Sequence, residues 1–389
     1  MHKIKAAIFV FAILTGVTSE APRGSRLEGM IPENRHPDAA ESRGIPKTAS
    51  EFSERVREVD EYLRGFLKTS VVPGISVAMG VGDEFTQLRG YGFLDLDADV
   101  RRYVPEFPDK GAPITVRDLA YHRSGIRHYR EDEALSHRHY ESVLEALKVF
   151  ADDPLVAKPG TAFSYSPYGY TLLSAAMERA AGQPFPALMR EKILKPFEMT
   201  QTELETGERP LSDQATGYEA GDDGKPKVAP KTDLSVKWAG GGFVSTAGDL
   251  MKFARALLDG QSLREETMDL LWTPQPGREA AKATLGLGWQ VTRTPNGKRL
   301  LMTGGNAIGG TTVMFIVPEE KVVLAFMTNM GNAPIRGVPA KILGILLGED
   351  GALRHAHRSV RALSHSSPSQ RLWNSSLRRV LHQHDLSVP

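Results

Sequence analysis

Four histidines lie close together in the sequence, beside a run of acidic residues. His122, His128, His137 and His139 surround the segment 131–133, which reads Glu-Asp-Glu. Imidazole and carboxylate groups are ligands that zinc prefers, but this spacing matches none of the common zinc patterns. We therefore predict a solvated, flexible loop here, with no metal and no cofactor.

The composition restricts the chemistry further. The chain contains no cysteine, which limits covalent catalysis to oxygen and nitrogen nucleophiles. The sequence also lacks a Gly-x-Ser-x-Gly elbow, a phosphate-binding Gly-Lys-Ser/Thr loop and a His-Glu-x-x-His pair. The 48 basic and 47 acidic residues leave a net charge of +1, so no overall field attracts nucleic acid. We expect a monomer that takes a small-molecule or peptide ligand.

Both ends of the sequence differ from its middle. Residues 1–19 combine early lysines with an apolar run, which predicts a signal peptide and a secreted or periplasmic protein. A retained membrane anchor is the alternative for this segment. Residues 20–48, rich in proline, glycine and charge, predict a flexible leader. Residues 352–389 predict a disordered basic tail, and a tail that binds nucleic acid or membrane is its alternative.

Hydrophobic spacing between these ends predicts helices and strands in a definite order. Apolar residues at three- and four-residue intervals predict a helix over 51–68, followed by two strands with a turn at Gly82-Asp83. Residues 114–258 are mainly helical in pattern, with Thr115 and Ser245 as predicted N-caps. Four strands are then predicted between residues 285 and 329, and a last helix near 338–348.

This order predicts an α+β fold, an α/β sandwich in which helices flank an antiparallel sheet. The sheet would combine strands from residues 49–93 and 283–351. A mainly helical part, residues 94–282, would be inserted between them. Together they form one predicted domain, 49–351.

Seven phrases, spread over about two thirds of the chain, carry a family resemblance. They are PGISVAMG with GYGF, LDLDADVRRYVPEFP, ITVRDLAYHRSGI, KPGTAFSYSPYGYTLLSAAMERAAGQPF, AGGGFVSTAGDLMKFARALL, LGLGWQV and MTGGNAIGGTTVMFIVPEEKVVLAFMTN. In this order they resemble the serine β-lactamase and penicillin-binding-protein superfamily, on the branch of class C β-lactamases, DD-peptidases and esterases. Mitochondrial serine β-lactamase-like proteins are similar. The resemblance implies a β-lactamase/transpeptidase-like fold and acyl-enzyme hydrolysis of a β-lactam, a D-Ala-D-Ala peptide or a small ester.

The implied mechanism uses a Ser-x-x-Lys pair at the start of a helix, where the lysine stacks over the serine. No serine or threonine in this sequence has a lysine three residues later. The family places that helix between GYGF and the Leu-Asp turn, but here Leu94 follows Phe93 directly. We therefore predict that the nucleophilic serine and its lysine are absent and that the chain is catalytically impaired.

A second family element, Tyr-x-Asn, survives in part as Tyr165-Ser166-Pro167. The resemblance makes Tyr165 a candidate general base, although a free tyrosine has a pKa of about 10 and the helping lysine is gone. An aromatic residue that lines a pocket is the alternative for Tyr165. The resemblance also implies that Ser166, and Ser124 in the HRSGI phrase, border the substrate.

The third family element, a Lys-Thr-Gly or His-Thr-Gly strand, reads Met302-Thr303-Gly304 in this sequence. Methionine carries no charge and donates no hydrogen bond, so the expected cation or imidazole is missing. The resemblance still implies that these three residues border the substrate. It also implies that the amide of Gly305 supplies half of an oxyanion hole.

Three functions remain open from the sequence. The chain could be a serine hydrolase of this family, or a non-catalytic relative that binds peptidoglycan fragments or a protein. It could also be a truncated or faulty product of an active hydrolase gene, which the join at Phe93-Leu94 favours. We expect a pseudoenzyme.

Overall fold

The computed structural model describes residues 4–6, 48–69, 75–81, 85–91, 94–130, 133, 135–205, 214–221, 223–259, 263, 265–274, 285–335 and 337–348. The predicted tail, the Gly82-Asp83 turn, and nearly all of the predicted signal peptide and leader lie outside these residues. The chain divides into two compact units, one of residues 15–93 and one of residues 1–14 with 94–389. Their boundary falls between Phe93 and Leu94, where the Ser-x-x-Lys segment is missing from the sequence.

Helices and strands follow the predicted order. The strands are β1 (Ile4–Ala6), β2 (Ile75–Val81), β3 (Phe85–Tyr91), β4 (Glu203–Leu204), β5 (Tyr218–Ala220), β6 (Pro226–Val228), β7 (Phe243–Ser245), β8 (Gln290–Arg293), β9 (Arg299–Ala307), β10 (Gly310–Val317) and β11 (Val322–Thr328). The helices are α1 (Ala49–Thr69), α2 (Val116–Ala120), α3 (Val143–Ala146), α4 (Pro167–Ala181), α5 (Phe185–Met189), α6 (Trp238–Gly241), α7 (Ala247–Leu258), α8 (Glu265–Trp272) and α9 (Val338–Leu347). None of these helices has the length and apolar character needed to cross a membrane.

The unit of residues 15–93 contains α1 and an antiparallel pair of strands. Phe52 and Val56, four residues apart on one face of α1, are buried, as the predicted helical spacing requires. Strands β2 and β3 pair in register from Ile75 opposite Tyr91 to Val81 opposite Phe85. Helix α1 packs against both strands.

The other unit contains a four-stranded antiparallel sheet with strand order β11-β10-β9-β8. One face of this sheet packs on α9 through a buried cluster, whose members are Leu300, Met302, Phe315, Val317 and Leu343. Burying each such side chain contributes about 1.5 to 3 kcal/mol, so α9 holds the sheet firmly. Because β2 and β3 form a separate two-stranded sheet in the other unit, the single sheet predicted from both chain ends stays a prediction.

Helix α4 is the centre of the helical part. All but three of its 15 residues are buried, and it contacts α2, α3, α5 and α6. Pro167 at its first position suits a helix start, because its fixed backbone angle matches the helix and its missing N–H needs no partner. Gly182 ends the helix in the left-handed conformation, with φ of 65°, which glycine adopts without strain.

One predicted helix cap is present and one is wrong. Thr115 caps α2 in a reciprocal capping box with Asp118. Ser245, in contrast, is the last residue of β7, and its hydroxyl hydrogen bonds with that of Thr202 at 2.7 Å. Thr246 caps α7 instead, accepting the Asp249 amide at 3.2 Å. Thr246 lies three residues before Asp249, which is the separation that a capping hydroxyl and a backbone N–H require.

A three-stranded sheet has the order β1-β7-β4, and its strand β1 contacts β9, β10 and β11 of the four-stranded sheet. Ile4–Ala6, within the predicted signal peptide, pairs antiparallel with β7 from Ile4 opposite Ser245 to Ala6 opposite Phe243. The glycines that precede β7 pack closely on their neighbours. A Cβ at Gly242 would lie 2.7 Å from the Trp238 Cα, so this position needs a residue without a side chain.

Candidate functional site

Tyr165 lies immediately before α4, in a backbone held by the helix cap. Ser166 is the N-cap, and its Oγ accepts the Gly169 amide at 2.9 Å and donates to the Arg127 carbonyl at 2.7 Å. Ser166 is fully buried, so its hydroxyl supports the helix start rather than facing a ligand. Ser124 is buried as well, and its Oγ accepts the Ile126 amide at 3.3 Å.

The Tyr165 ring is about half exposed, at 48%, and its other side rests on imidazoles. Its centre lies 4.5 Å from that of His122 and 5.7 Å from that of His128. Removal of water by these contacts raises the pKa of Tyr165 above its ordinary value, with no cation to oppose it. A general base needs the opposite shift, so Tyr165 is a neutral phenol near pH 7.

His122 occupies the turn that faces Tyr165. Its backbone φ is +53°, in the left-handed region, and its ring stacks on Tyr170 with 4.7 Å between centres. Its Nδ1 accepts the Ser166 amide at 3.2 Å. Burial lowers the pKa of His122 to about 3, because a charged imidazole loses its hydration there.

His128 and Tyr129 continue this group toward a buried lysine. Burial, followed by the nearby charge of Lys237, lowers the pKa of His128 to about 4 although the Tyr129 backbone opposes the shift. The Lys237 side chain is buried, with Nζ 5.3 Å from the centre of the Tyr129 ring, a favourable cation–π distance. Burial also raises the pKa of Tyr129 well above its ordinary value. We call this set the aromatic cluster; its members are His122, His128, Tyr129, Tyr165 and Tyr170.

The other two histidines of the sequence group lie apart from the aromatic cluster. His137 is exposed, and His139 Nδ1 lies 2.8 Å from a carboxylate oxygen of Asp233. Among the residues that the structure describes, no three histidine or acidic side chains converge as a metal site would require. His122 and His128 are ring-packed rather than solvated, so the predicted flexible loop is wrong for this pair.

The stretch Met302-Thr303-Gly304-Gly305 lies on β9. Met302 is buried in the cluster under α9, so its side chain faces the core and not a ligand, contrary to the substrate contact that the resemblance implies.

The next three residues of β9 are held by strand packing. Thr303 is buried, with its hydroxyl 3.4 Å from the Gly288 carbonyl. A Cβ at Gly304 would lie 2.5 Å from the Thr312 carbonyl of β10, so strand packing requires this glycine. Gly305 is half-buried opposite Thr312, and its oxyanion role stays a prediction.

The comparisons with known proteins agree with this fold. The Beta-lactamase family profile matches residues 85–341, about two thirds of the chain. The chain belongs to the Beta-lactamase family. The human mitochondrial serine beta-lactamase-like protein LACTB is 29% identical over 346 residues, covering 65% of this chain and 62% of the relative. The putative penicillin-binding protein PbpX of Bacillus subtilis (strain 168) is 25% identical, covering 73% of this chain and 68% of the relative.

Solved structures show the same fold for this β-lactamase family member. The octameric penicillin-binding protein homologue from Pyrococcus abyssi superposes with a TM-score of 0.56 at 22% identity. The match covers 76% of this chain and 78% of that one. The chain spans only 62% of the human relative's length, so the activity of a whole relative does not transfer to it directly.

Two residues of this site in the family member are not identified by the sequence. They are His122 as a partner of Tyr165, and Lys237 as a buried cation near Tyr129 and His128. The HRSGI phrase was a signal for His122, since this residue lies two positions before the Ser124-Gly125 turn. For Lys237, the local signal of a position near the site was the phrase AGGGF, which begins two residues later.

We expect Gly125→Ala to destabilise the fold by about 3 kcal/mol or more. Gly125 has φ of +74°, and an added Cβ would collide with the Ala157 carbonyl, so the substitution adds backbone strain and a clash. Gly111→Ala is the matched control, because φ is +73° there and nothing lies within 4 Å of the added Cβ. It should lose only about 1 kcal/mol. Urea unfolding measures the loss of stability in both variants. Equal losses would show that the Ala157 carbonyl moves away from the added Cβ without an energetic cost.

Proposed function

We propose that this chain is a β-lactamase family protein that lacks acyl-enzyme chemistry and binds its ligand without a covalent bond. One observation carries the proposal. In all 389 residues, no serine or threonine precedes a lysine by three positions. An unactivated hydroxyl is a weak nucleophile, so the hydrolytic reaction of the family has no starting group here.

The remaining site residues support the same conclusion. Tyr165 has its pKa raised by desolvation, so it holds its proton at neutral pH and cannot serve as the general base. Met302 contributes neither charge nor a hydrogen bond, and its side chain lies in the core. The Gly305 amide alone would provide half of an oxyanion hole, and the loss of one donor costs such a site about 2.7 to 4 kcal/mol of transition-state stabilisation.

The exposed aromatic surface at the site indicates the class of ligand. Phe163 and Tyr165 are 57% and 48% exposed, and both rings contact His122. Aromatic faces of this kind bind flat apolar groups and leave the tyrosine hydroxyl for a polar contact. We infer that the ligand is an acylated amino acid, peptide or β-lactam with an apolar acyl group. Benzylpenicillin, which carries a phenylacetyl group, is a suitable probe.

The proposal extends to the setting in which the protein works. The apolar segment near residue 10 supports a secreted or periplasmic protein with a signal peptide. Cleavage of that peptide would remove β1 from its pairing with β7. The near-neutral charge supports a small-molecule or peptide ligand and no nucleic acid. We propose that the protein is a monomer.

Covalent labelling tests the loss of acyl-enzyme chemistry. The purified chain is incubated with a fluorophosphonate and, separately, with benzylpenicillin, beside a serine β-lactamase with an intact Ser-x-x-Lys pair. Intact-mass spectrometry should show the adduct on the control enzyme and an unchanged mass for this chain. An adduct on any serine of this chain would overturn the proposal.

Binding of benzylpenicillin tests the ligand site. We expect saturable binding without turnover, weakened about fivefold by Tyr165→Ala, since an aromatic contact of this kind contributes roughly 1 kcal/mol. Tyr62→Ala removes another exposed aromatic side chain, in the unit of residues 15–93, and should leave the affinity unchanged. Equal effects of the two variants, or no binding at all, would contradict the proposed site.

A second candidate is a truncated product of an active hydrolase gene. The boundary between the compact units lies at Phe93-Leu94, which is also where the sequence lacks the family segment, and this coincidence favours a deletion. A tryptic peptide covering residues 90–101 spans the join. Its detection in the natural source by mass spectrometry would show that the shortened chain is made, and detection of only a longer form would support a faulty gene product.

A further inference from the structure

We propose that His122 is a positioning residue that clamps Tyr165 by holding the backbone on both sides of it. The His122 carbonyl accepts the Ser164 amide at 2.7 Å, and His122 Nδ1 accepts the Ser166 amide at 3.2 Å. The two residues that flank Tyr165 are therefore bonded to the same residue, more than 40 positions earlier in the chain. This arrangement fixes the direction in which the Tyr165 side chain leaves the backbone.

The imidazole ring forms the third contact of the clamp. It lies 4.5 Å from Tyr165 and 4.7 Å from Tyr170, between ring centres. Tyr170 is itself anchored, because it is buried in α4 and its hydroxyl donates to the Ala120 carbonyl at 3.0 Å. The His122 ring is thus held in place by Tyr170 of α4. Its contact with the half-exposed Tyr165 ring restricts the movement of that ring in turn.

The position demands properties that few residues combine. The φ of +53° excludes β-branched side chains, whereas histidine and asparagine adopt the left-handed region more readily. The Ser166 N–H needs an unprotonated ring nitrogen as its acceptor, so Nε2 carries the proton in the neutral ring. Burial and the neighbouring His128 disfavour the charged form. Among the described residues, the titratable groups recorded near the His122 ring are His128, Tyr165 and Tyr170. None of these three is an anion that would stabilise an imidazolium.

Three substitutions separate the parts of the clamp. His122→Asn removes the ring but tolerates the positive φ and offers Oδ1 to the Ser166 amide. His122→Phe keeps a ring and removes the acceptor. His122→Gly relieves the backbone strain and removes both groups, so it replaces the Phe variant if that variant fails to fold.

Amide hydrogen exchange measured by NMR reports the clamp directly. We expect the Ser166 amide to exchange at least ~10-fold faster in the Phe and Gly variants, since one lost hydrogen bond of about 1.4 kcal/mol opens the site tenfold. In the Asn variant the rate should stay within about threefold of the parent. The remote Gly309 amide, which donates to Glu219 Oε1 at 2.8 Å, is the internal reference for global stability.

Two results would overturn the clamp. The first is that hydrogen exchange of the Ser166 amide increases no more than that of the Gly309 amide in the Phe and Gly variants. This would mean that His122 acts only on global stability. The other is that the Asn variant exchanges as fast as those two.

The NMR chemical shift of the Ser166 amide, followed against pH, tests the acceptor role of His122 directly. A residue that only filled space would have no effect on this pH profile. We expect it to stay flat from pH 8 to 5 and to change only as Nδ1 takes a proton in acid. A midpoint near pH 6.5, the ordinary imidazole value, would contradict an Nδ1 that is held as a buried acceptor.

The use of the clamped Tyr165 as a ligand contact rests on the proposed function, but the clamp itself does not. The exchange and pH measurements contain no ligand, so their failure would leave the proposed function standing. A covalent adduct with benzylpenicillin would overturn the proposed function and leave the clamp intact.

Discussion

Lowering the pH from 7 to 4.5 should reduce the free energy of unfolding by about 5 kcal/mol through His122 and His128 alone. Burial holds the pKa of these histidines at about 3 and about 4, whereas both titrate near 6.5 in an unfolded chain. Their contribution is therefore complete above pH 6.5. This contribution is lost as the pH falls toward the pKa values of the folded state. In that range the unfolded chain binds protons on these two histidines and the folded chain does not. Since a domain has only about 5 to 15 kcal/mol of stability, acid should unfold this protein readily.

Urea unfolding at a series of pH values between 7 and 4.5 measures this loss. Each histidine should contribute a slope of about 1.4 kcal/mol per pH unit below pH 6. His122→Asn and His128→Asn should each remove that amount from the total slope, and the double variant should remove both. His137→Asn is the matched control, because this histidine is exposed, and it should keep the full slope. Single variants with the parent's slope would show that neither imidazole is excluded from water.

The local signals of the fold could be predicted because they depend on residues close together in sequence. Thr115 and Asp118 stand three positions apart, which is enough to predict their capping box. The apolar runs in β9, β10, β11 and α9 can likewise be recognised without knowledge of the rest of the chain. The same reasoning failed by one residue at Ser245, because two neighbouring hydroxyls offered two possible caps and the Thr202 contact decided between them.

The environment of Met302 could not be predicted from strand alternation. On a strand, residues 300 and 302 share a face, but Leu301 on the opposite face is also apolar and buried. The sequence therefore does not say which face packs on α9, and the contact with Leu343 decides it in the structure.

The clamp around Tyr165 could not be predicted from sequence in the same way. His122 reaches Ser164 and Ser166 across more than 40 residues, and its left-handed backbone has no sequence signal beyond the turn that follows it. The exposed or buried state of each histidine decides its chemistry. His122, His128, His137 and His139 look alike in the sequence, yet they differ in burial and in partners in the fold.

Replacing Arg127 with methionine should destabilise the protein by about 3 to 5 kcal/mol. The Arg127 side chain is only 8% exposed, and it bonds both Glu133 oxygens, at 2.7 and 2.9 Å, and Asp153 at 2.6 Å. Its guanidinium also stacks on Tyr168 of α4, 5.1 Å from the ring centre. Methionine fills similar space but leaves the partly buried Glu133 carboxylate without its cation and leaves Asp153 with Arg130 alone, at 2.8 Å. The uncompensated charge on Glu133 is what makes breaking this group costly.

The loss of Arg127 should also loosen the start of α4, because the Arg127 carbonyl accepts the Ser166 hydroxyl that caps this helix. Arg179→Met is the matched control, since Arg179 and Glu106 form an ion pair with side chains 50% and 43% exposed. Exposed pairs contribute less than about 1 kcal/mol, so this variant should unfold near the parent's urea midpoint. Arg127→Lys should fall between them, because an ammonium keeps the charge but cannot bond Glu133 in the two-pronged geometry. If Arg127→Met unfolded at the same urea concentration as Arg179→Met, the Arg127 network would add no more stability than an exposed ion pair, which would contradict the prediction.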